Sequence, residues 1–169
     1  MPRFSANLGH LFVEYPLIER IGHAAKAGFK AIELQQPYEL APSAVKAEIE
    51  KHGLTMLNLN SPPGPAGEPG LGTATGREAE FWALFTRALD YVVAIGGTSI
   101  HVLSGVVPPH ERPPAEKVLV ANLKRACEAA AAKKIFLMLE PLNQRDRPDY
   151  FVSRIEHIAD IIAQVGSPA

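Results

Sequence analysis

Five times along this chain a short apolar run of strand length is followed by a longer stretch with helical periodicity. The strand candidates are Arg3–Leu8, Ala31–Leu34, Thr55–Leu59, Ser99–Leu103 and Ile135–Leu139. The helix candidates are Leu17–Ala27, Ser43–Lys51, Glu78–Ile95, Ala115–Ala132 and Ser153–Val165. In the third helix Phe81, Leu84, Phe85, Ala88, Leu89 and Val92 recur at three- and four-residue steps, which makes one apolar face that must cover a sheet or another helix. The strands lack clean polar alternation, as expected of strands covered by helices. Five consecutive βα units predict an α/β fold with a parallel sheet and right-handed crossovers.

The helix boundaries carry their own punctuation. Pro16 and Pro42 fall at expected first-turn positions, where a missing N–H costs little. Thr75 with Glu78, and Ser153 with Glu156, have the spacing of capping boxes. Gly28, Gly53 and Gly96 follow helix ends, where a left-handed turn is expected.

Two architectures fit this alternation: a complete five-stranded doubly wound sheet, and the first part of a (β/α)8 barrel. Phe4 and Phe136 are 132 residues apart over four units, or 33 per unit, so eight units would need 264 residues. That is close to the roughly 250 of a typical barrel, whereas the 169 residues present would suit one ordinary domain. The strand ends favour the barrel. Asn7, Glu33 with Gln35 and Gln36, Asn58 and Asn60, His101 and Glu140 stand at or just after the five strands. In a barrel such positions converge on one mouth. The stretch Pro62–Gly76 holds neither GxGxxG nor a Walker pattern, so the phosphate-binding turn of a nucleotide-binding open sheet is missing. Its prolines predict a stiff loop, either a lid over the mouth or a long surface connection.

Composition narrows the function classes. The 17 basic and 18 acidic residues give a net charge of −1, with no long run of either sign, so no nucleic-acid partner is expected. One cysteine, Cys127, excludes an internal disulfide and is read as core filler. No apolar run approaches the roughly 20 residues of a membrane span, and the first residues lack a signal-peptide pattern, so no membrane partner and a cytoplasmic location are expected.

Glu140 is the first candidate for chemistry. It follows the apolar run Ile135–Leu139, where a buried carboxylate needs a cation, a metal or a proton. It either ligates a divalent metal or moves a proton, or it pairs with Arg145 or Arg147. His101, within the fourth strand, either binds a substrate oxygen or acts as an acid/base, or is a satisfied core histidine. Asn7 and Glu33 orient a polar substrate or close loop hydrogen bonds. Asn60 reads as a turn residue, His10 as a loop residue near the mouth, His23 as structural, and Trp82 as packing under the third helix.

Several separated motifs, in order, carry a family resemblance. Met1–Leu8 (MPRFSANL), Asn60–Gly64 (NSPPG) with Gly76–Glu78 (GRE), His101–Pro108 (HVLSGVVP), and Glu140–Arg145 (EPLNQR) with Tyr150–Phe151 resemble the hydroxypyruvate isomerase family, within the xylose-isomerase-like TIM barrels. The resemblance implies that residues 1–169 form a single partial TIM-barrel domain, about five of eight βα units. It implies an aldose–ketose isomerase that interconverts hydroxypyruvate and tartronate semialdehyde by metal-assisted proton transfer through an enediol, or acts on a 2-oxo-tetronate. Glu140 would be both catalytic residue and metal ligand, with Mg2+ or Mn2+ as the metal, and His101, Asn7 and Glu33 would bind the small hydroxy-oxo acid. The family's second catalytic glutamate and its ligands after the sixth and seventh strands fall beyond the five units. Metal binding by the chain alone is therefore expected to be weak. A homo-oligomer, or a non-catalytic subunit that needs a complementary partner, is the expectation that follows.

Overall fold

Each strand pairs in parallel with the one before it in the chain, in the order β1-β2-β3-β4-β5. The strands are β1 (Ala6–Asn7), β2 (Ala31–Leu34), β3 (Thr55–Asn60), β4 (Ser99–His101) and β5 (Phe136–Met138). The helices are α1 (Leu17–Lys26), α2 (Pro42–Lys51), α3 (Glu78–Ala94), α4 (Arg112–Ala131) and α5 (Ile155–Val165), with a 3-10 turn at Pro109–Glu111. The computed structural model describes residues 2–169; Met1, the first residue of the MPRFSANL motif, lies outside them.

Strand order decides between the two architectures. A doubly wound sheet reverses direction at a switch point and carries helices on both faces. Here the sheet grows in one direction only, and consecutive helices pack side by side in the same order, so the helices make one layer. This is the (β/α)8 arrangement over five of its units. Ile32, Leu34, Leu59 and Ile100 point into that layer and are fully buried, as are Phe85, Leu119 and Ile161 from the helices. By the period-two alternation of strands, Glu33, Asn58, Asn60 and His101 project from the opposite, inner face.

Several boundaries differ from the sequence expectation for local reasons. β1 covers two residues rather than Arg3–Leu8, because as an edge strand it has only β2 to pair with. Pro42 opens α2 as expected, whereas Pro16 sits one position before α1. α4 begins three residues early, since Pro113 and Pro114 fit its first turn, where no N–H bond is lost. Neither capping box forms: Glu78 accepts the Gly76 N–H, and Glu156 faces the Arg154 guanidinium. Gly28, Gly53 and Gly96 do take positive φ after their helices. The apolar run Ile135–Leu139 is buried on one side only. Ile135 faces the helices, whereas Phe136 is 59% and Met138 46% exposed on the inner face of the β5 edge. Cys127 is buried, His23 stacks on Tyr15, and Trp82 lies against Phe85 with the Arg125 guanidinium over its ring.

The stretch Pro62–Gly76 is tied down. Gly70 bridges Ser104, Gly72 N–H donates to Leu103 C=O, and Thr73 donates to Ser104 C=O through both its N–H and its hydroxyl. On the other side Val106 bridges Tyr150, and Phe151 N–H donates to Gly105 C=O. The loops after β3, β4 and β5 thus form one hydrogen-bonded layer beside the strand ends. Close approach makes glycine necessary at Gly70, whose φ is +135° and where a Cβ would lie 2.4 Å from Leu103 O. Gly70→Ala should therefore lower stability by about 1–3 kcal/mol, seen as a reduced urea midpoint. Gly67→Ala, at positive φ but in open space, should cost about 1 kcal/mol or less.

Candidate active site at the strand ends

A cleft of about 520 Å3 opens at the carboxyl ends of the strands. His10 enters it from the β1 loop, Gln35 and Gln36 from the β2 loop, and Asn60 from the end of β3. Glu68 and Pro69 come from the proline-rich loop, His101 and Leu103 from β4 and its continuation, and Glu140, Asp146, Arg147 and Tyr150 from the β5 loop. Side chains from five consecutive units meet here because parallel strands deliver all their carboxyl ends to one side. Another cleft of about 470 Å3, sharing Glu68 and Pro69, includes Arg77, whose guanidinium is already held by Glu68 and Glu80. That leaves the strand-end cleft as the better candidate for chemistry.

The central pair is His101 and Glu140, with Nδ1 to Oε2 at 3.5 Å. The sequence expectation of a buried Glu140 is overturned, whereas the buried position left open for His101 is the one it takes. Glu140 leaves the sheet after Leu139 and its side chain is 62% exposed, whereas that of His101 is only 5% exposed. The desolvated group is therefore the imidazole, and burial lowers its pKa from 6.5 to about 4. The water-exposed carboxylate is too well screened to offset this. At neutral pH His101 is uncharged. A distance of 3.5 Å is long for a hydrogen bond, yet the negative charge beside Nδ1 favours the tautomer protonated there. Nε2 is buried without a partner among the described residues, an unusual cost for a satisfied core histidine. The close polar neighbour of the Glu140 carboxylate is this histidine rather than Arg145 or Arg147.

Asn7 and Glu33 stand on the inner face at β1 and β2 but do not line the cleft. Asn7 Oδ1 accepts the Gly9 N–H at 3.0 Å, and Glu33 Oε1 accepts the Ser5 hydroxyl. Asn60 is the last residue of β3 rather than a turn residue; its carbonyl accepts the Tyr38 hydroxyl, and the residue lines the cleft. His10 lies 3.1 Å from Gln35 Nε2 at the rim. Asp146 and Glu68 have no sequence signal, and Tyr150, though part of a quoted motif, has no role assigned from it; all three come from irregular loops that no periodicity marks. The close-approach glycines Gly70 and Gly105 were the available signal that those loops touch.

Among the described residues no group of three or more His, Cys, Asp or Glu side chains is placed to hold a metal ion. Glu140 offers two oxygens, and a closed coordination shell would need donors from elsewhere. The chemistry these residues can carry by themselves is proton transfer: an exposed carboxylate as base, beside a neutral imidazole that orients it. Also among the described residues, no helix is long and apolar enough to cross a membrane.

The linkage of His101 to stability has a definite sign. Its folded pKa lies below its unfolded value, so the unfolded chain binds more protons between about pH 4 and 6.5. Stability should rise across that window by up to about 3 kcal/mol and level off above it. Urea titrations of the wild type and His101→Asn at several pH values check this, the variant showing a flatter profile between pH 4 and 6.5.

Comparison with known proteins agrees with the strand order. Residues 21–169 match the family described as Xylose isomerase-like TIM barrel. The chain is 39% identical over 170 residues to a 2-oxo-tetronate isomerase of Cupriavidus necator, covering 99% of this chain and 65% of that protein. It is also 39% identical over 175 residues to a Mus musculus protein provisionally named a hydroxypyruvate isomerase, covering 98% of this chain and 63% of that one. The chain thus spans a little under two thirds of the length of these curated relatives. Among solved structures, a Brucella melitensis protein titled AP endonuclease, family 2 superposes with a TM-score of 0.96 at 35% identity, over 99% of this chain and 66% of that one. A 3-keto-D-glucoside 4-epimerase from E. coli shares the fold at a TM-score of 0.79 and 17% identity, over 98% of this chain and 65% of that one.

Proposed function

Because the chain belongs to the xylose isomerase-like TIM barrel family, we propose that it carries the first five units of an isomerase for a small hydroxy-oxo acid, interconverting hydroxypyruvate and tartronate semialdehyde. The observation that carries this reading is the His101–Glu140 pair in the strand-end cleft. A proton on the hydroxyl-bearing carbon beside a ketone is weakly acidic, and its removal needs a positioned base and a stabilised oxyanion. Glu140 is proposed to take that proton. The electron pair then forms the enediolate double bond, and negative charge passes to the former carbonyl oxygen. The proton of the neighbouring hydroxyl passes to that oxygen, and return of the abstracted proton from Glu140 to the carbon that bears it gives the aldehyde. His101, uncharged, would orient the carboxylate through its Nδ1–H without neutralising it.

The family resemblance implies a divalent ion, Mg2+ or Mn2+, as electrophile. Of the described residues Glu140 is its proposed ligand, and the steps above use side chains alone. Asn7 and Glu33 are proposed to support the substrate side of the inner face, where each already fixes a loop contact. The name of the Cupriavidus necator relative favours a 2-oxo-tetronate as the alternative substrate. The open edges of β1 and β5, with Phe136 and Met138 exposed, favour a further reading in which residues 1–169 act with a second copy or a complementary polypeptide.

Purified chain given hydroxypyruvate with Mg2+ or Mn2+ should form tartronate semialdehyde above background. Glu140→Gln should lower that rate by about 100-fold or more. Absence of turnover by the wild-type chain contradicts catalysis by these residues alone. Size-exclusion chromatography then separates the remaining readings: a dimer or larger species supports assembly, and a cooperatively folding monomer counts against it.

A further inference from the structure

The phenol of Tyr150 is built into the cleft with unusual constraint. The residue is 1% exposed, yet it lines the cleft that holds His101 and Glu140. Its oxygen accepts the Ser104 N–H at 3.1 Å. Its backbone is fixed on both sides: Tyr150 bridges Val106, and Phe151 N–H donates to Gly105 C=O. The Arg112 guanidinium sits over the Phe151 ring at 4.6 Å and donates to its carbonyl. Among the described residues no hydrogen bond donated by the phenol is formed, and the neighbouring Ser104 hydroxyl is itself buried without a partner. Burial raises the pKa of the group, and the charge of Glu140 adds to the rise, so the proton stays on oxygen at neutral pH.

A phenol whose lone pair is engaged by a backbone N–H, and whose own proton is unused, is a preorganised donor. We propose that Tyr150 donates its hydrogen bond to the carbonyl oxygen of the hydroxy-oxo acid and stabilises the enediolate that Glu140 creates. This rests on the isomerase reading above and adds the electrophilic partner that a lone carboxylate base lacks. The phenol transfers no proton: it shortens its hydrogen bond as charge builds on the oxygen and relaxes when that oxygen gains the proton of the neighbouring hydroxyl. The Ser104 N–H strengthens it, because a phenol that accepts from an amide becomes a better donor.

Exchange of the carbon-bound protons of hydroxypyruvate in D2O, followed by proton NMR, reports the deprotonation step without requiring complete isomerisation. Tyr150→Phe should lower the maximal exchange rate by about 100-fold while KM stays within about threefold, since the bond strengthens in the enediolate. A folded Tyr150→Phe protein with the wild-type exchange rate overturns the assignment. Should that variant fail to fold, wild-type chain labelled at tyrosine 13Cζ decides instead. The Tyr150 resonance, assigned by elimination among the four tyrosines, should shift when hydroxypyruvate is added, and an unmoved resonance with the ligand bound overturns the proposal. Loss of the exchange in Tyr150→Phe with retention in the wild type supports both readings. Exchange in the wild type that is unchanged in the variant removes only the tyrosine. A wild-type chain that neither exchanges nor binds hydroxypyruvate removes the isomerase reading and this inference with it.

Discussion

One-directional growth of the parallel sheet is the constraint on which everything else depends. A right-handed crossover from each strand to the next, repeated without reversal, puts every helix on the same face. That face takes the apolar residues Ile32, Leu34, Leu59 and Ile100. The other face is free to be polar, and along it stand Glu33, Asn58, Asn60 and His101. The same geometry brings all the carboxyl ends of the strands to one side. The cleft is a consequence of the winding and needs no separate explanation.

Polar groups on an inner face are expensive unless something satisfies them. Asn58 Oδ1 and His101 Nε2 are both buried without partners among the described residues. His101 lines the strand-end cleft, whereas Asn58 lies deeper on the same face. The loop layer from Gly70 to Ser104 and from Val106 to Tyr150 supplies the opposing rigidity. It holds the irregular segments with backbone hydrogen bonds, so cleft side chains from three different loops keep fixed positions.

Much of the fold was legible because βα alternation is a strong periodic signal. All five strands and five helices appear where the apolar runs and helical steps put them, and the resemblance carried by the EPLNQR and HVLSGVVP segments led to the right family. The architecture could not be read from period alone, since a doubly wound sheet has the same alternation; only strand order separates them. The errors have local physical causes. Counting Ile135–Leu139 as a buried run ignores that β5 is an edge, so alternate residues lie exposed on its uncovered inner face. The expected capping boxes lost to competing partners for Glu78 and Glu156. At the cleft, Glu140 and His101 could be singled out because they end apolar strands, but Glu140 is exposed rather than buried. Tyr150 stood in a quoted motif, but its role was not legible, because its place in the cleft depends on a cross-loop bridge to Val106 that no periodicity marks.

The central claim is that a neutral, buried His101 presents Nδ1–H to the charged Glu140 at the mouth of the cleft. Nitrogen-15 NMR of the histidine side chains across a pH titration tests it most directly, with His101 assigned by its substitution. The account predicts a ring that stays uncharged from neutral pH down to about pH 4, with the proton on Nδ1. An imidazole that titrates near its ordinary value of 6.5, or one that carries its neutral-form proton on Nε2, would contradict it.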